Sequence, residues 1–176
     1  MDRDEILRAL TALGCHLAAE GVQGEMYVVG GAAIALAYAP RRVTRDIDAV
    51  FEPKMVIYRA AAAVAQELAL PPGWLNDAVK GFLGTPDPLA APVLDVPGLR
   101  CLAASPRVLL GLKVLAHRVG EDEDDVRMLA GLLGLPTAVE VLTVAEEVFG
   151  DRLDAAARFF VEEIFIAEGG PSVTSM

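Results

Sequence analysis

The sequence predicts an α+β protein: a small mixed β-sheet core flanked by helices over residues 1–104, a C-terminal helical subdomain over residues 105–168, and a mobile tail over residues 169–176. Three observations carry this reading. Short β-branched runs bounded by Gly and Pro are confined to the first hundred residues. Apolar residues at helical spacing fill the chain after Ser105. The closing GGPSVTSM is a polar terminus led by two glycines. At 176 residues the chain is long enough to bury a real core.

Asp2 followed by Glu5 has the form of a capping box, and Ile6, Leu7, Leu10, Leu13 and Leu17 recur at helical spacing, so a first helix is expected over residues 3–20. The apolar run at residues 26–29 reads as a strand, residues 31–39 as a helix ended by Pro40, and residues 43–51 as a second strand. On such a strand Asp46 and Asp48 share one face, because side chains alternate with period two. Pro53 opens an alanine-rich helix to about residue 68. LNDAVKGF reads as a short helix before the loop GTPDP, and residues 92–96 and 99–103 as strands joined by the turn Val96-Pro97-Gly98. Ser105-Pro106 begins a helix through Ala116, and further helices are expected from Asp122, from Thr137 to Phe149 and from Arg152 to Ala167, with stops at Gly134, Pro136 and Gly150.

No apolar run approaches the roughly 20 residues that cross a membrane. MDRDEILRAL reads as a helix start and not as a signal peptide, so a cytoplasmic location is expected, with no membrane partner. Cys15 and Cys101 have no CxxC or Cys/His neighbours and read as small buried hydrophobes; His16 and His117 are likewise read as structural. The net charge of −10 is unevenly spread. Residues 1–118 hold twelve acids and twelve bases, whereas residues 119–176 hold thirteen acids and three bases, the composition of a solvated acidic face.

The stretch VVGGAAIALAYAPRRVTRDIDAV resists explanation by packing alone. Two carboxylates projecting from one strand face repel each other unless a cation lies between them. Aspartate oxygens suit Mg²⁺ (or Mn²⁺), which takes few protein ligands and completes its shell with water and substrate phosphates. Gly30-Gly31, at the end of a strand and the start of a helix, lets the backbone approach a phosphate while helix N-terminal N–H groups point at it. A nucleoside triphosphate completes such a site.

Gly-Gly, a short helix, then Asp-hydrophobic-Asp on the next strand resembles the DNA polymerase β-like nucleotidyltransferase superfamily. The finer pattern, GGAAIALAY, RRVTRDIDAVF, WLND and LLGLKVLAHRVGEDEDDVRML, is similar to the AbiEii/MenT-type branch, many of whose members are toxins of toxin–antitoxin systems. The similarity covers residues 27–133. One departure is Ala32, which stands where many superfamily members carry a small hydroxyl residue. The resemblance implies that Asp46 and Asp48 hold catalytic metals, that Thr44 faces the same site, and that Arg42 and Arg45 neutralise triphosphate or RNA phosphate; a surface-loop salt bridge explains either arginine equally well. It implies that Lys113 reaches the triphosphate, the alternative being a lysine snorkelling from an amphipathic helix. It marks Asp125 as an active-site partner of that lysine, while the spacing of Asp122 and Asp125 fits a capping box. Asn76 and Asp77 would line the nucleotide or acceptor cleft, with Trp74 packing in the core. Asp95 is the candidate third carboxylate, or else caps the turn at Gly98.

The implied activity is transfer of NMP from an NTP to an acceptor hydroxyl, most closely a tRNA 3′ end, by a toxin with a cognate antitoxin protein. The alternatives are a nucleotidyltransferase for a small molecule, as in antibiotic modification, or for a protein hydroxyl, and a non-enzymatic module that keeps the fold. An RNA acceptor needs a basic face, for which Arg41, Arg42, Arg45, Lys54, Arg59, Lys80, Lys113 and Arg118 are the available residues.

Overall fold

The computed structural model describes residues 1–78 and 86–166. Half of the helix expected in LNDAVKGF, Lys80 and the tail lie outside the described residues. The chain divides into two units, the first Met1–Ser105 and the second beginning at Pro106.

In the first unit, α1 (Arg3–Ala19) starts at the capping box expected: the Asp2 carboxylate accepts from the Glu5 N–H and the Glu5 carboxylate from the Asp2 N–H, each at 2.8 Å. Then follow β1 (Gly24–Val28), α2 (Gly30–Ala37), β2 (Ile47–Glu52), α3 (Lys54–Glu67), β3 (Leu75–Asn76), β4 (Ala91–Val96) and β5 (Leu99–Ala103). The sheet is mixed and five-stranded, in the order β3-β2-β1-β5-β4. β1 runs antiparallel to β2 and parallel to β5, β2 parallel to β3, and β4 antiparallel to β5.

Alternation along these strands separates two faces. Met26, Val28, Ile47, Ala49, Phe51, Leu99, Cys101 and Ala103 are buried and receive α1, α2 and α3. Glu25, Tyr27, Asp48, Val50, Glu52, Arg100 and Leu102 point the other way and are more exposed. Helices on one face of a small sheet thus leave polar side chains on the opposite face, with no burial cost to pay.

Three expectations are corrected here. Residues 43–46 form no strand: the Thr44 backbone exchanges hydrogen bonds with Met1, Thr44 N–H donating to the Met1 carbonyl at 2.9 Å, and so never enters the ladder. Leu75 and Asn76 begin no helix but pair with Ile47 and Asp48. Cys15 is exposed; Cys101 is buried as expected, and burial, reinforced by nearby Glu25, pushes its thiol up to about 12.

The second unit is helical: α4 (Pro106–Ala116), α5 (Glu123–Leu133), α6 (Ala138–Phe149), a 3₁₀ turn (Gly150–Arg152) and α7 (Ala155–Ile166). Thr137 and Glu140 form a second capping box at α6, and Gly134 closes α5 in the left-handed conformation at φ +67°. α4 packs on α5, α6 and α7 through Leu109, Leu110, Val126, Val141 and Val161, all fully buried. Among the described residues no single helix is long and apolar enough to cross a membrane.

Candidate active site

β1 delivers the chain to Val29, whose N–H donates to the Asp48 carbonyl at 2.9 Å, and Gly30 then turns the backbone into α2 at φ +61°. L side chains rarely adopt that conformation, which explains glycine there. Space gives a second reason, because a Cβ on Gly30 would stand 3.3 Å from Asp48 Oδ2 and one on Gly31 2.9 Å from the Thr44 hydroxyl. The two glycines therefore let a helix N-terminus come up against a carboxylate and a hydroxyl. Val29, the N-cap residue, supplies no side-chain cap, and the first N–H groups of a helix have no intrahelical partner.

Asp48 lies on β2 and Asp46 one residue before the strand begins, not on its face as the alternation suggested. Both are part-exposed. The Thr44 hydroxyl donates to the Asp46 carbonyl at 3.1 Å, which ties the preceding loop to the start of β2. Asn76, the register partner of Asp48 on β3, donates from Nδ2 to Asp46 Oδ2 at 3.1 Å. The structure thus brings together Gly30, Gly31, Thr44, Asp46, Asp48 and Asn76, at the end of the sheet where β1 gives way to α2. Arg42 is part-buried and Arg45 exposed on the loop before them.

Asp95 does not join them. β4 is separated from β2 by two strands, and Asp95 pairs with Arg100 in the row of Glu25 and Glu52, at the opposite end of the sheet from Asp48. Among the described residues no third His, Cys, Asp or Glu completes a metal cluster. Two aspartates with oxygen donors still fit Mg²⁺ or Mn²⁺, which is bound by one or two carboxylates when phosphates and water fill the remaining positions.

No family model, curated protein or solved structure matches this chain. What the site can do follows from its donors: carboxylates that attract a divalent cation, beside an uncapped helix start that attracts an anion.

Lys113, Asp122 and Asp125 form a separate cluster inside the second unit. Lys113 Nζ lies 2.6 Å from Asp122 Oδ1 and 2.8 Å from Asp125 Oδ2. All three residues are at most 5% exposed. Lys113 therefore does not snorkel; its charge is held inside by two carboxylates. The capping box fails for the same reason. Asp122 occupies the N-cap of α5 but its side chain caps nothing, turning to Lys113 and to Arg118 Nε at 3.1 Å. Burial opposes its ionisation, and the hydrogen bonds from Lys113 and Arg118 outweigh that and hold the carboxyl below its ordinary range.

The expected basic face is thinner than the sequence suggested. Lys113 is buried, Lys54 pairs with Asp77, Arg59 with Glu20, and Arg118 with Glu121 and Asp122. Trp74 is buried as expected, its indole N–H donating to the Ala61 carbonyl at 3.0 Å. Sequence reasoning missed Tyr58 and set Lys54 on a basic face; in the structure the two hold Asp77 through its two carboxylate oxygens. Lys54 opens α3 and Tyr58 follows one turn later, a spacing that carries no signal of that pairing.

Proposed function

We propose that this chain is a metal-dependent nucleotidyltransferase that moves an NMP from an NTP to an acceptor hydroxyl and releases pyrophosphate. The observation that carries the reading is the Asp48 carboxylate standing against the glycine turn into α2, 3.3 Å from where a Cβ on Gly30 would lie, at a left-handed φ of +61° that favours glycine. A site for a cation and a site for phosphate there lie side by side.

In this reading Asp46 and Asp48 hold a divalent ion, which supplies Lewis-acid activation and neutralises charge on the departing pyrophosphate. The N–H groups at the start of α2 receive phosphate oxygens, and Gly30 and Gly31 keep side chains out of their way. Thr44 fixes the loop that carries Arg42 and Arg45, whose guanidinium groups offset phosphate charge. The acceptor hydroxyl gives its proton to water while its oxygen bonds to the α-phosphorus and the bond from that phosphorus to the bridging oxygen breaks, pyrophosphate leaving with that oxygen.

The resemblance of the Gly-Gly, Asp-Ile-Asp and Lys-plus-acid pattern to AbiEii/MenT-type enzymes supports a tRNA 3′ end as acceptor, a cytoplasmic toxin role and a cognate antitoxin. The same resemblance gives Lys113 and Asp125 catalytic parts. A small-molecule or protein acceptor is the second reading, favoured by the internal pairing of Lys54, Arg59, Lys113 and Arg118. Incubation with each α-labelled NTP, Mg²⁺ and total tRNA tests the proposal. Label on RNA with wild type and none with Asp48→Asn supports it; label that moves equally with both proteins refutes the carboxylate site. Label on a small hydroxyl compound and none on RNA selects the second reading.

A further inference from the structure

The geometry points to Asn76 as a positioning residue that orients the Asp46 carboxylate for a divalent cation, with Tyr58 and Lys54 of α3 gripping Asp77 to hold Asn76 in place. This rests on the metal reading of Asp46 and Asp48 proposed above, and adds residues to which neither that reading nor the sequence gave such a part.

The Asn76 amide is engaged at both ends. Its Oδ1 accepts from the Ala78 N–H at 3.2 Å and its Nδ2 donates to Asp46 Oδ2 at 3.1 Å. Turned over, the amide would set its oxygen against a carboxylate and its NH₂ against an N–H donor, two like contacts in place of two hydrogen bonds. The donor end is therefore fixed toward Asp46. One Asp46 oxygen is held by that bond, and the carboxylate plane is set with its other oxygen available to a cation. Carboxylates that ligate metals are commonly held this way by an outer hydrogen-bond partner.

A strand of two residues cannot hold such a partner by itself, since β3 pairs with β2 only at Leu75 and Asn76. α3 supplies the rigidity on both sides of Asn76. Before it, the Trp74 carbonyl accepts from the Ile47 N–H at 2.7 Å, and the Trp74 indole bonds to the Ala61 carbonyl. After it, Asp77 Oδ1 accepts from the Tyr58 hydroxyl at 2.6 Å while Lys54 pairs with Oδ2. Burial, and then the bond to Asp77, raise the Tyr58 pKa above its usual range, so the phenol remains a donor at neutral pH. Phe51 packs edge-on against the Tyr58 ring at 5.1 Å and fixes its direction.

The test is binding of Mn²⁺ alone, by calorimetry on the full chain without nucleotide, with thermal unfolding measured on the same samples. Wild type is expected to bind Mn²⁺ and Asp48→Asn to lose it. Asn76→Ala is expected to weaken Mn²⁺ about 10-fold, the usual effect of removing an outer partner of a ligand, and Tyr58→Phe to weaken it less. Asn76→Asp keeps the acceptor for Ala78 but sets a third carboxylate beside Asp46, so it is expected to bind Mn²⁺ more tightly than wild type. Opposite signs for Asn76→Ala and Asn76→Asp are the outcome that structural damage does not produce. Wild-type affinity in both Asn76 variants, or equal weakening in both that tracks a lowered melting temperature, overturns the positioning role and leaves the metal site standing. Absence of Mn²⁺ binding by wild type overturns the metal reading and this inference with it.

Discussion

Replacing Lys113 by Met removes the cation that two buried carboxylates share and little else, because methionine keeps the length and apolar stem of the side chain. The lysine, Asp122 and Asp125 side chains are 6%, 0% and 5% exposed, so solvent screens none of the three. Removing one partner of a buried ion pair costs about 3–5 kcal/mol, since the charge left behind has lost its compensation. Asp122 keeps Arg118, which places the cost toward the lower end, about 3 kcal/mol. A unit of about seventy residues has roughly 4–11 kcal/mol of stability in total at about 0.05–0.15 kcal/mol per residue. The change therefore removes roughly a quarter or more of what holds the second unit. Urea titration of the intact chain, followed by far-UV circular dichroism, reads the loss. Adding Asp122→Asn and Asp125→Asn to Lys113→Met is expected to recover most of it, because neutral amides have no charge to strand. A loss below about 1 kcal/mol in the single variant would refute the ion-cluster argument. Nucleotidyl transfer measured well below the unfolding midpoint then separates two roles: a folded Lys113→Met protein that has lost transfer assigns the lysine to the chemistry, and one that retains it assigns the lysine to the fold.

Gly98→Ala is expected to destabilise the first unit. Gly98 sits at φ +81°, and a Cβ there would lie 2.3 Å from the Gly14 carbonyl oxygen and 2.5 Å from the Ala18 nitrogen, backbone atoms of α1 that cannot turn aside. Strain of about 1–2 kcal/mol from the left-handed backbone and about 1–3 kcal/mol from overpacking together lower the melting temperature by about 10 °C or more, which a thermal melt checks. Acid stability tests Asp122. A carboxyl whose pKa is lower in the folded than in the unfolded chain contributes stability that is complete above the unfolded value, about 3.9, and is lost as pH falls through the folded value. Urea midpoints followed from neutral pH downward are therefore expected to drop below about pH 4 more steeply for wild type than for Asp122→Asn; equal slopes would remove the argument.

Helix ends were legible in the sequence because their signals are local. The capping box of Asp2 with Glu5, the helix expected from Thr137 and the stop at Gly134 all rest on signals within one turn, and the structure places each where the pattern put it. Contacts set by distant partners were not legible. Val43 to Asp46 alternates like a strand, yet Met1 takes the Thr44 backbone out of the ladder. Leu75 and Asn76 have no period to read, since two residues make a strand only by lying beside Ile47 and Asp48. Asp122 and Asp125 have the spacing of a cap, but a buried lysine is a stronger partner for a carboxylate than an exposed N–H. At the candidate site, the glycines and the aspartates were legible because backbone conformation and charge repulsion restrict which residues tolerate those positions. Asp95 was misassigned because strand order, which decides which carboxylates meet, is not written in the strands themselves.

The central position of β1 also governs how the chain behaves while it is being made. Met26 pairs with Phe51 on one side and with Cys101 on the other, so one partner follows closely behind it and the other comes only after β4 and the turn at Gly98. At synthesis rates of about 5–20 residues per second, the second edge of β1 stays open for several seconds. An open apolar edge is a template for pairing with other nascent chains. Glu25, in the body of that strand and exposed in the finished sheet, is the charge that discourages such pairing until β5 arrives.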